Sequence, residues 1–244
     1  MKKRNIYTLA GSLSLLTVLA LACTKRTGKE IAAEDKNFAN KSLVQVFVAT
    51  VNAASTQVFV DNNQVSGSAL AYGSLFPSTS YAFAVDAGPR SVSIRSTASG
   101  TTQLPVNFSG NFDAGKNYTI FTYDTITAAK QITVENKIEI PADTTARVKF
   151  ANFIHNTADV PGVDVFSLRR GTNVFTNIRR TEVTEYIPYA AAMPVTDTLL
   201  IRETGTTNLL AQLNGFNPVR KRSYTVIYRG SHRGTRTVSS FANY

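Results

Sequence analysis

Residues 44–52 read VQVFVATVN, and residues 148–156 read VKFANFIHN at an offset of 104. In the first stretch Val44, Val46 and Val48 alternate with Gln45, Phe47 and Ala49. A period of two sends successive side chains to opposite faces of a strand. On either side the pattern continues. Val58-Phe59-Val60 runs into the turn signal Asp61-Asn62-Asn63, and Tyr81-Ala82-Phe83-Ala84-Val85 runs into Asp86-Ala87-Gly88-Pro89. Ser91-Val92-Ser93-Ile94-Arg95 restores the alternation, and Tyr118–Tyr123 is rich in β-branched and aromatic residues. Short strands separated by turn chemistry, with no useful helical period after residue 43, predict an antiparallel sandwich.

The likeness between the halves extends past the opening pair. Ser80-Tyr81 aligns with Glu185-Tyr186 at offset 105, Tyr118-Thr119-Ile120 with Tyr224-Thr225-Val226 at 106, and Val92–Arg95 with Leu199–Arg202 at 107. A drift of three residues across that span predicts one β module copied in tandem. The expected organisation is all-β: two immunoglobulin-like antiparallel β-sandwich modules, 43–140 and 141–244, joined near Ile140-Pro141-Ala142-Asp143. Each copy has the size of an independently folding domain, and the short joint predicts a restricted angle between them.

The chain has 244 residues, 43% hydrophobic and 17% charged, so a sizeable core is available. Its single cysteine excludes an intrachain disulfide and any multi-thiolate metal site. That cysteine closes an apolar leader. Lys2, Lys3 and Arg4 precede an uncharged run from Ile6 to Ala22. This run fits a secretory h-region better than a membrane span. The run ends Ala20-Leu21-Ala22-Cys23, which resembles a bacterial lipobox. The resemblance implies cleavage of residues 1–22, acylation of Cys23 and anchoring to a lipid membrane. Two or three acyl chains, at about 0.8 kcal/mol per buried CH₂, hold a protein there stably. Residues 24–42 are charged and poor in large apolar groups, as a solvated tether requires. The expected address is the cell envelope, as an outer-membrane lipoprotein.

Ile154-His155-Asn156, Val163-Asp164-Val165-Phe166, Val174-Phe175 and Tyr186-Ile187-Pro188 resemble the family catalogued as domain of unknown function 4397. The first copy carries the likeness in Val58-Phe59-Val60-Asp61, Leu70-Ala71-Tyr72-Gly73, Tyr81-Ala82-Phe83 and Ala87-Gly88, with Val51 where the second has His155. The resemblance spans about residues 43–244. It implies a tandem β-sandwich lipoprotein of Bacteroidetes-like bacteria, with no activity attached.

Residue chemistry argues against an enzyme. His155 with Asp159 or Asp164 supplies two members of a nucleophilic triad, but no G-x-S-x-G elbow accompanies them. His155 reads instead as a turn or interstrand hydrogen-bonding residue, and His232, in Gly230–Gly234, as part of a hairpin turn. Asp159 and Asp164 bracket a loop with too few oxygens for Ca²⁺, so a solvated turn is expected and no metal or cofactor is assigned. Paired carboxylates for glycoside hydrolysis stay open, since their separation is spatial. A carbohydrate-active enzyme is therefore retained behind the binding readings.

Basic residues carry the functional expectation. Residues 137–244 hold a net charge of +6, against −1 for residues 43–136. Arg169-Arg170 and Arg179-Arg180 flank Gly171–Ile178, read as a hairpin tip, while Arg220-Lys221-Arg222 precedes the strand at Tyr224. Loops gathered at one end of a sandwich form a patch for an anionic polysaccharide or an acidic envelope protein. Nucleic acid is disfavoured by the secretion signal and the lack of an aromatic-basic motif. Tyr72, Tyr81, Tyr186 and Tyr189 could stack on sugars, although strand tyrosines more often fill cores. Thr125, Thr144 and Thr198 sit in Asp-Thr-x triplets that resemble an O-glycosylation acceptor, with Thr144 favoured by its place in the joint. The chain thus reads as a non-catalytic binding or adhesion component, with a structural subunit of an outer-membrane complex as the alternative.

Overall fold

The computed structural model describes residues 38–78, 81–191 and 196–244. The leader, Cys23 and most of the tether lie outside the described residues. Among the described residues every regular element is a strand. In chain order the first half forms β1 (Lys41–Val48), β2 (Thr56–Val60), β3 (Asn63–Gln64), β4 (Leu75–Phe76) and β5 (Phe83–Asp86), followed by β6 (Gly88–Ser96), β7 (Val106–Phe112), β8 (Asn117–Tyr123) and β9 (Lys130–Glu135). The second half forms β10 (Ala146–His155), β11 (Val163–Ser167), β12 (Thr172–Ile178) and β13 (Ile187–Tyr189), followed by β14 (Asp197–Glu203), β15 (Leu209–Phe216), β16 (Ser223–Ser231) and β17 (Arg236–Ala242).

These strands make two sandwiches of matching topology. In the first, a sheet β4-β1-β8-β9, with β5 also on β1, faces a sheet β3-β2-β6-β7. In the second, β13-β10-β16-β17 faces β12-β11-β14-β15. Every pairing is antiparallel except β1 with β8 and β10 with β16. In both parallel pairs the repeat holds to the residue, since Val44 faces Tyr118 and Val148 faces Tyr224. Local chemistry closes the turns as the sequence predicts. Val60 pairs with Asn63 across Asp61 and Asn62, whose φ values of 48° and 64° give the two left-handed residues that a tight hairpin needs.

Alternation along the inner strands fills three cores. Val44, Val46 and Val48 of β1 and Ile120 of β8 join Val58, Val92 and Ile94 inside the first sandwich. Val148, Phe150 and Ile154 of β10 and Val226 and Tyr228 of β16 join Val163, Val165, Leu199 and Ile201 inside the second. The opposite faces of the same strands carry Phe47, Phe121, Phe153, Ile227 and Phe241, which bury one another between the sandwiches. Phe121 stacks on Phe153 at 4.8 Å and Phe47 on Phe241 at 5.1 Å. Such pairs contribute about 0.5–1.5 kcal/mol each beyond the area they bury. Both faces of β1 and β10 are therefore covered, which explains their nearly unbroken apolar reading.

A polar layer lies beside this third core. Asn243 Nδ2 donates to Gln45 Oε1 at 2.8 Å, Gln45 Nε2 donates to Ala242 O at 2.9 Å, and Asn136 Nδ2 donates to Thr119 Oγ1 at 2.9 Å. Lys149, 1% exposed, donates from Nζ to Asn136 Oδ1 and sits 5.0 Å from the Tyr186 ring. Burial lowers its pKa to about 7, against a smaller opposing pull from Glu185. Unfolded lysine titrates near 10.4, so between pH 7 and about 10 the unfolded chain binds the extra proton and stability rises with pH. Below pH 7 the lysine is charged in both states and adds no slope. Urea denaturation from pH 7 to 9.5 should show this rise in the native protein. Lys149→Met should remove that component whatever its constant offset in stability.

Candidate functional site

Cations from two loops meet at one end of the second sandwich. The β11–β12 tip is Leu168–Gly171, and Asp197 at the start of β14 holds it. Ser167 Oγ and Tyr189 Oη donate to Asp197 Oδ2, and the backbone N–H groups of Arg169 and Thr198 donate to Oδ1 at 3.0 and 2.7 Å. From this clamped tip Arg169 donates to Ala190 O at 2.6 Å and Arg170 to Pro188 O at 3.4 Å. Arg170 also lies 4.8 Å over the Tyr189 ring. Arg220, from the β15–β16 loop, reaches the same segment through Nε to Ala191 O at 3.2 Å.

The rest of that loop extends the basic end toward the first sandwich. Lys221 adopts φ 60° and donates its N–H to Thr145 O at 2.8 Å. Arg222 lies 4.9 Å from the Tyr81 ring and 5.7 Å from that of Tyr244. Arg147 adds a further cation, its Nη1 donating to Thr145 Oγ1 at 2.7 Å. Asp143 is the carboxylate among them. Hydrogen bonds from Thr145 hold its carboxyl below the usual range, helped by Arg147 and Lys221. Thr144 is exposed in the same bend, while Thr198 is half-buried and Thr125 Oγ1 lies 3.3 Å from Thr127 Oγ1.

The expected single tip carrying all four arginines is not what forms. Gly171–Ile178 is not a loop: all but Gly171 of it is strand β12, so the two arginine pairs stand at opposite ends of that strand. At ~3.3 Å per residue they are separated by roughly 23 Å. Thr172, Asn173, Phe175 and Ile178 pair with β11 across two register shifts, a pairing that local spacing does not reveal. Arg180 Nη1 donates to Asn156 O, and Arg179 and Arg180 border a separate cavity of about 550 Å³ with Asp159 and Pro161. Asp164 is likewise no solvated turn residue. It is 4% exposed and accepts from the N–H groups of Asn177 and Gly205 at 2.8 and 3.1 Å.

His155 ends β10 beside the first sandwich. Its Nδ1 lies 2.8 Å from Asp124 Oδ1, within ion-pair distance but out of hydrogen-bond alignment, and Lys130 Nζ meets Asp124 Oδ2 at 3.0 Å. Burial acts to raise the Asp124 pKa, and Lys130 with His155 outweighs it, so the carboxyl stays below its ordinary range. No serine nucleophile joins this pair among the hydrogen bonds of the described residues. The tyrosines divide by role. Tyr189 is buried in the Asp197 clamp, Tyr186 donates to Asn243 Oδ1 at 3.0 Å, Tyr81 stacks in the basic end, and Tyr72 lines a cleft between the sandwiches.

Sequence reasoning missed two buried cations, Lys149 and Arg229. Arg229, 7% exposed, donates from Nη1 to Ser239 Oγ at 3.0 Å and lies 5.4 Å from Phe47 and 5.1 Å from Tyr72. Alternation puts Lys149 beside inward Val148 and Phe150, and Arg229 beside inward Tyr228, on the outer face of their strands, where a charge gives no signal until the other sandwich covers it.

The family model described as "Domain of unknown function (DUF4397)" matches residues 42–156, from the first residues of β1 to the residue after β10. No curated protein matches the chain. Among solved structures, the chain resembles the carbohydrate-binding module CBMbc (family CBM26) of Eubacterium rectale Amy13K, in complex with maltoheptaose. That likeness has 10% identity and a TM-score of 0.24 over 82% of this chain and 96% of that one. A candidate cell adhesion protein from Bacteroides uniformis ATCC 8492 is similar at 12% identity and a TM-score of 0.27, over 83% and 98%. Both superpositions are too distant to carry function across.

Asp197 supplies a direct check on how the basic tip is held. Replacing it with asparagine leaves donors facing an NH₂ group, and Asp197→Asn should cost about 1–3 kcal/mol in urea denaturation at pH 7. Burial acts to raise the Asp197 pKa, but the hydrogen bonds from Ser167 and Tyr189 hold it lower than usual. Its contribution is therefore present above the unfolded carboxylate range and lost as pH falls through the folded pKa, so the gap to the variant should narrow in acid.

Proposed function

We propose that this chain, which through residues 42–156 belongs to the domain of unknown function 4397 family, is a membrane-anchored, non-catalytic binding protein of the cell envelope. Acylated Cys23 anchors it in the outer membrane after removal of residues 1–22. Residues 23–42 give reach, and modules 43–140 and 141–244 present the contact surface. The partner is an anionic envelope polysaccharide, met by Arg169, Arg170, Arg220, Lys221 and Arg222. Arg179 and Arg180 stand outside this contact. Thr144, exposed in the bend beside it, is the favoured glycosylation acceptor.

The observation that carries this reading is the meeting of the 168–171 tip and the 219–222 loop around the carbonyls of Pro188, Ala190 and Ala191. Those carbonyls hold the guanidiniums in place without neutralising them. Single exposed charge contacts contribute only about 0.2–1 kcal/mol, so several fixed side by side are needed for retention on a polyanion.

Retention of the purified protein on polygalacturonate should be strong at 0.05 M salt and fall at least tenfold by about 0.5 M, where the screening length shrinks to a few Å. The double variant Arg170→Gln, Arg220→Gln should lose most of the low-salt retention, and Arg179→Gln, Arg180→Gln should keep it. Equal losses in both double variants would reject the assignment to one end. For the anchor, cells fed labelled palmitate should incorporate label into the native chain and none into Cys23→Ala.

A further inference from the structure

Duplication has set equivalent strand ends of the two sandwiches beside each other. Val51 and His155 correspond in the repeat at offset 104, and Asp124 and Gly230 correspond at 106. Beyond β1, Val51 bridges Thr125 in parallel, continuing the β1–β8 register, while β10 ends at His155 against Ser231. The four ends enclose a cleft of about 470 Å³, a volume within the range of small-ligand sites. Gly230 is required there, since at φ 114° a Cβ would lie 2.2 Å from Thr235 O.

The cleft's chemistry arises where the copies differ. Asp124, already paired with Lys130, lies 2.8 Å from His155 Nδ1 without hydrogen-bond alignment, and no hydrogen bond reaches Nε2 among the described residues. The side chains of Asn52, Ser231 and Thr235 also line the cleft and make no hydrogen bond within the described residues. Asn52 holds φ 68° at the rim. Tyr72 and Val51 supply the apolar surface, and the Arg229 guanidinium packed 5.1 Å from the Tyr72 ring keeps that ring in place. The combination is one aromatic ring, a small apolar patch and a circle of uncharged donors and acceptors. Of the charges near it, Asp124 is paired with Lys130, and Arg229 is buried against the Tyr72 ring behind the lining.

We infer that this cleft binds an uncharged saccharide, one or two hexose units, with a sugar C–H face on Tyr72 and hydroxyls on Asn52, Ser231, Thr235 and His155 Nε2. The site is independent of the basic end in position and in ligand charge. Neutral hydroxyls satisfy unpartnered amide, imidazole and hydroxyl groups without an ion to desolvate, and a pyranose ring offers the apolar face that an aromatic side chain covers.

Calorimetric titration of the full protein with maltohexaose, cellohexaose, mannohexaose, xylohexaose and chitohexaose tests the assignment. At least one should bind, with an affinity unchanged between 0.05 and 0.5 M salt. Tyr72→Ala should weaken it at least tenfold and Asn52→Gly, which suits the left-handed backbone and removes only the amide, several-fold. Arg170→Gln, Arg220→Gln should leave it intact. Failure of all five sugars to bind below 10 mM, or undiminished binding by a folded Asn52→Gly and Tyr72→Ala, overturns the proposal. Because polyanion retention depends on salt and on the other end of the molecule, either result leaves the basic-end reading to stand or fall by its own test.

Discussion

Burial of both faces of two parallel strand pairs, β1 with β8 and β10 with β16, governs the rest of the structure. One face of each pair fills its own sandwich, and the other meets the opposite pair through Phe47, Phe121, Phe153 and Phe241. A sandwich normally leaves its outer faces to solvent and to alternating polar residues. Here two outer faces are spent on each other, so the four layers form one packed stack and the loops of the two halves keep fixed neighbours. The Arg222 contact with Tyr81 and the approach of His155 to Asp124 both depend on that docking.

Two cations are buried along this joint. Lys149 and Arg229 find no carboxylate within ion-pair distance among the described residues, and they rest on Asn136 with Tyr186 and on Ser239 with Phe47 and Tyr72. Burying a charge with only dipoles and ring faces for partners is costly, as the lowered pKa directions of both groups show. Aliphatic residues at the same places would pack with less penalty but would tolerate sliding of one sheet over the other. Each cation instead has one geometry in which its donors and rings are met, which disfavours displaced arrangements.

The fold was legible wherever it was encoded locally. Period-two runs mark β1, β6 and β10, Asp61-Asn62 marks the β2–β3 hairpin, and the repeat offsets predict the shared Val44–Tyr118 and Val148–Tyr224 registers. What was hidden is non-local. Alternation has no direction, so it gave no sign that β8 and β16 run parallel to β1 and β10. Two arginine pairs eight residues apart fit a hairpin tip as well as a strand, and only the pairing of β12 with β11 decides between them. Asp164 reads as a loop acid until the N–H groups of Asn177 and Gly205 are seen to converge on it. The cleft is the extreme case, because Val51 and Tyr72 come from the first sandwich and His155 and Ser231 from the second, and the two pairs meet only when the sandwiches dock.

Docking also gives the molecule two unlike ends. β1 and β8 run together, Thr119 near the start of β8 meets Asn136, and Asn136 meets Lys149 near the start of β10, so the inner strands of both sandwiches begin at one end. That end carries Arg147, Lys221 and Arg222 beside the first turn of β10 and β16. It is also where Lys41 enters the fold. The inner strands run from there to the opposite end of the fold, where their ends form the Asp124–His155 cleft. A basic surface at one end and a cleft at the other keep the two candidate contacts apart, an arrangement available only because the two sandwiches pack against each other.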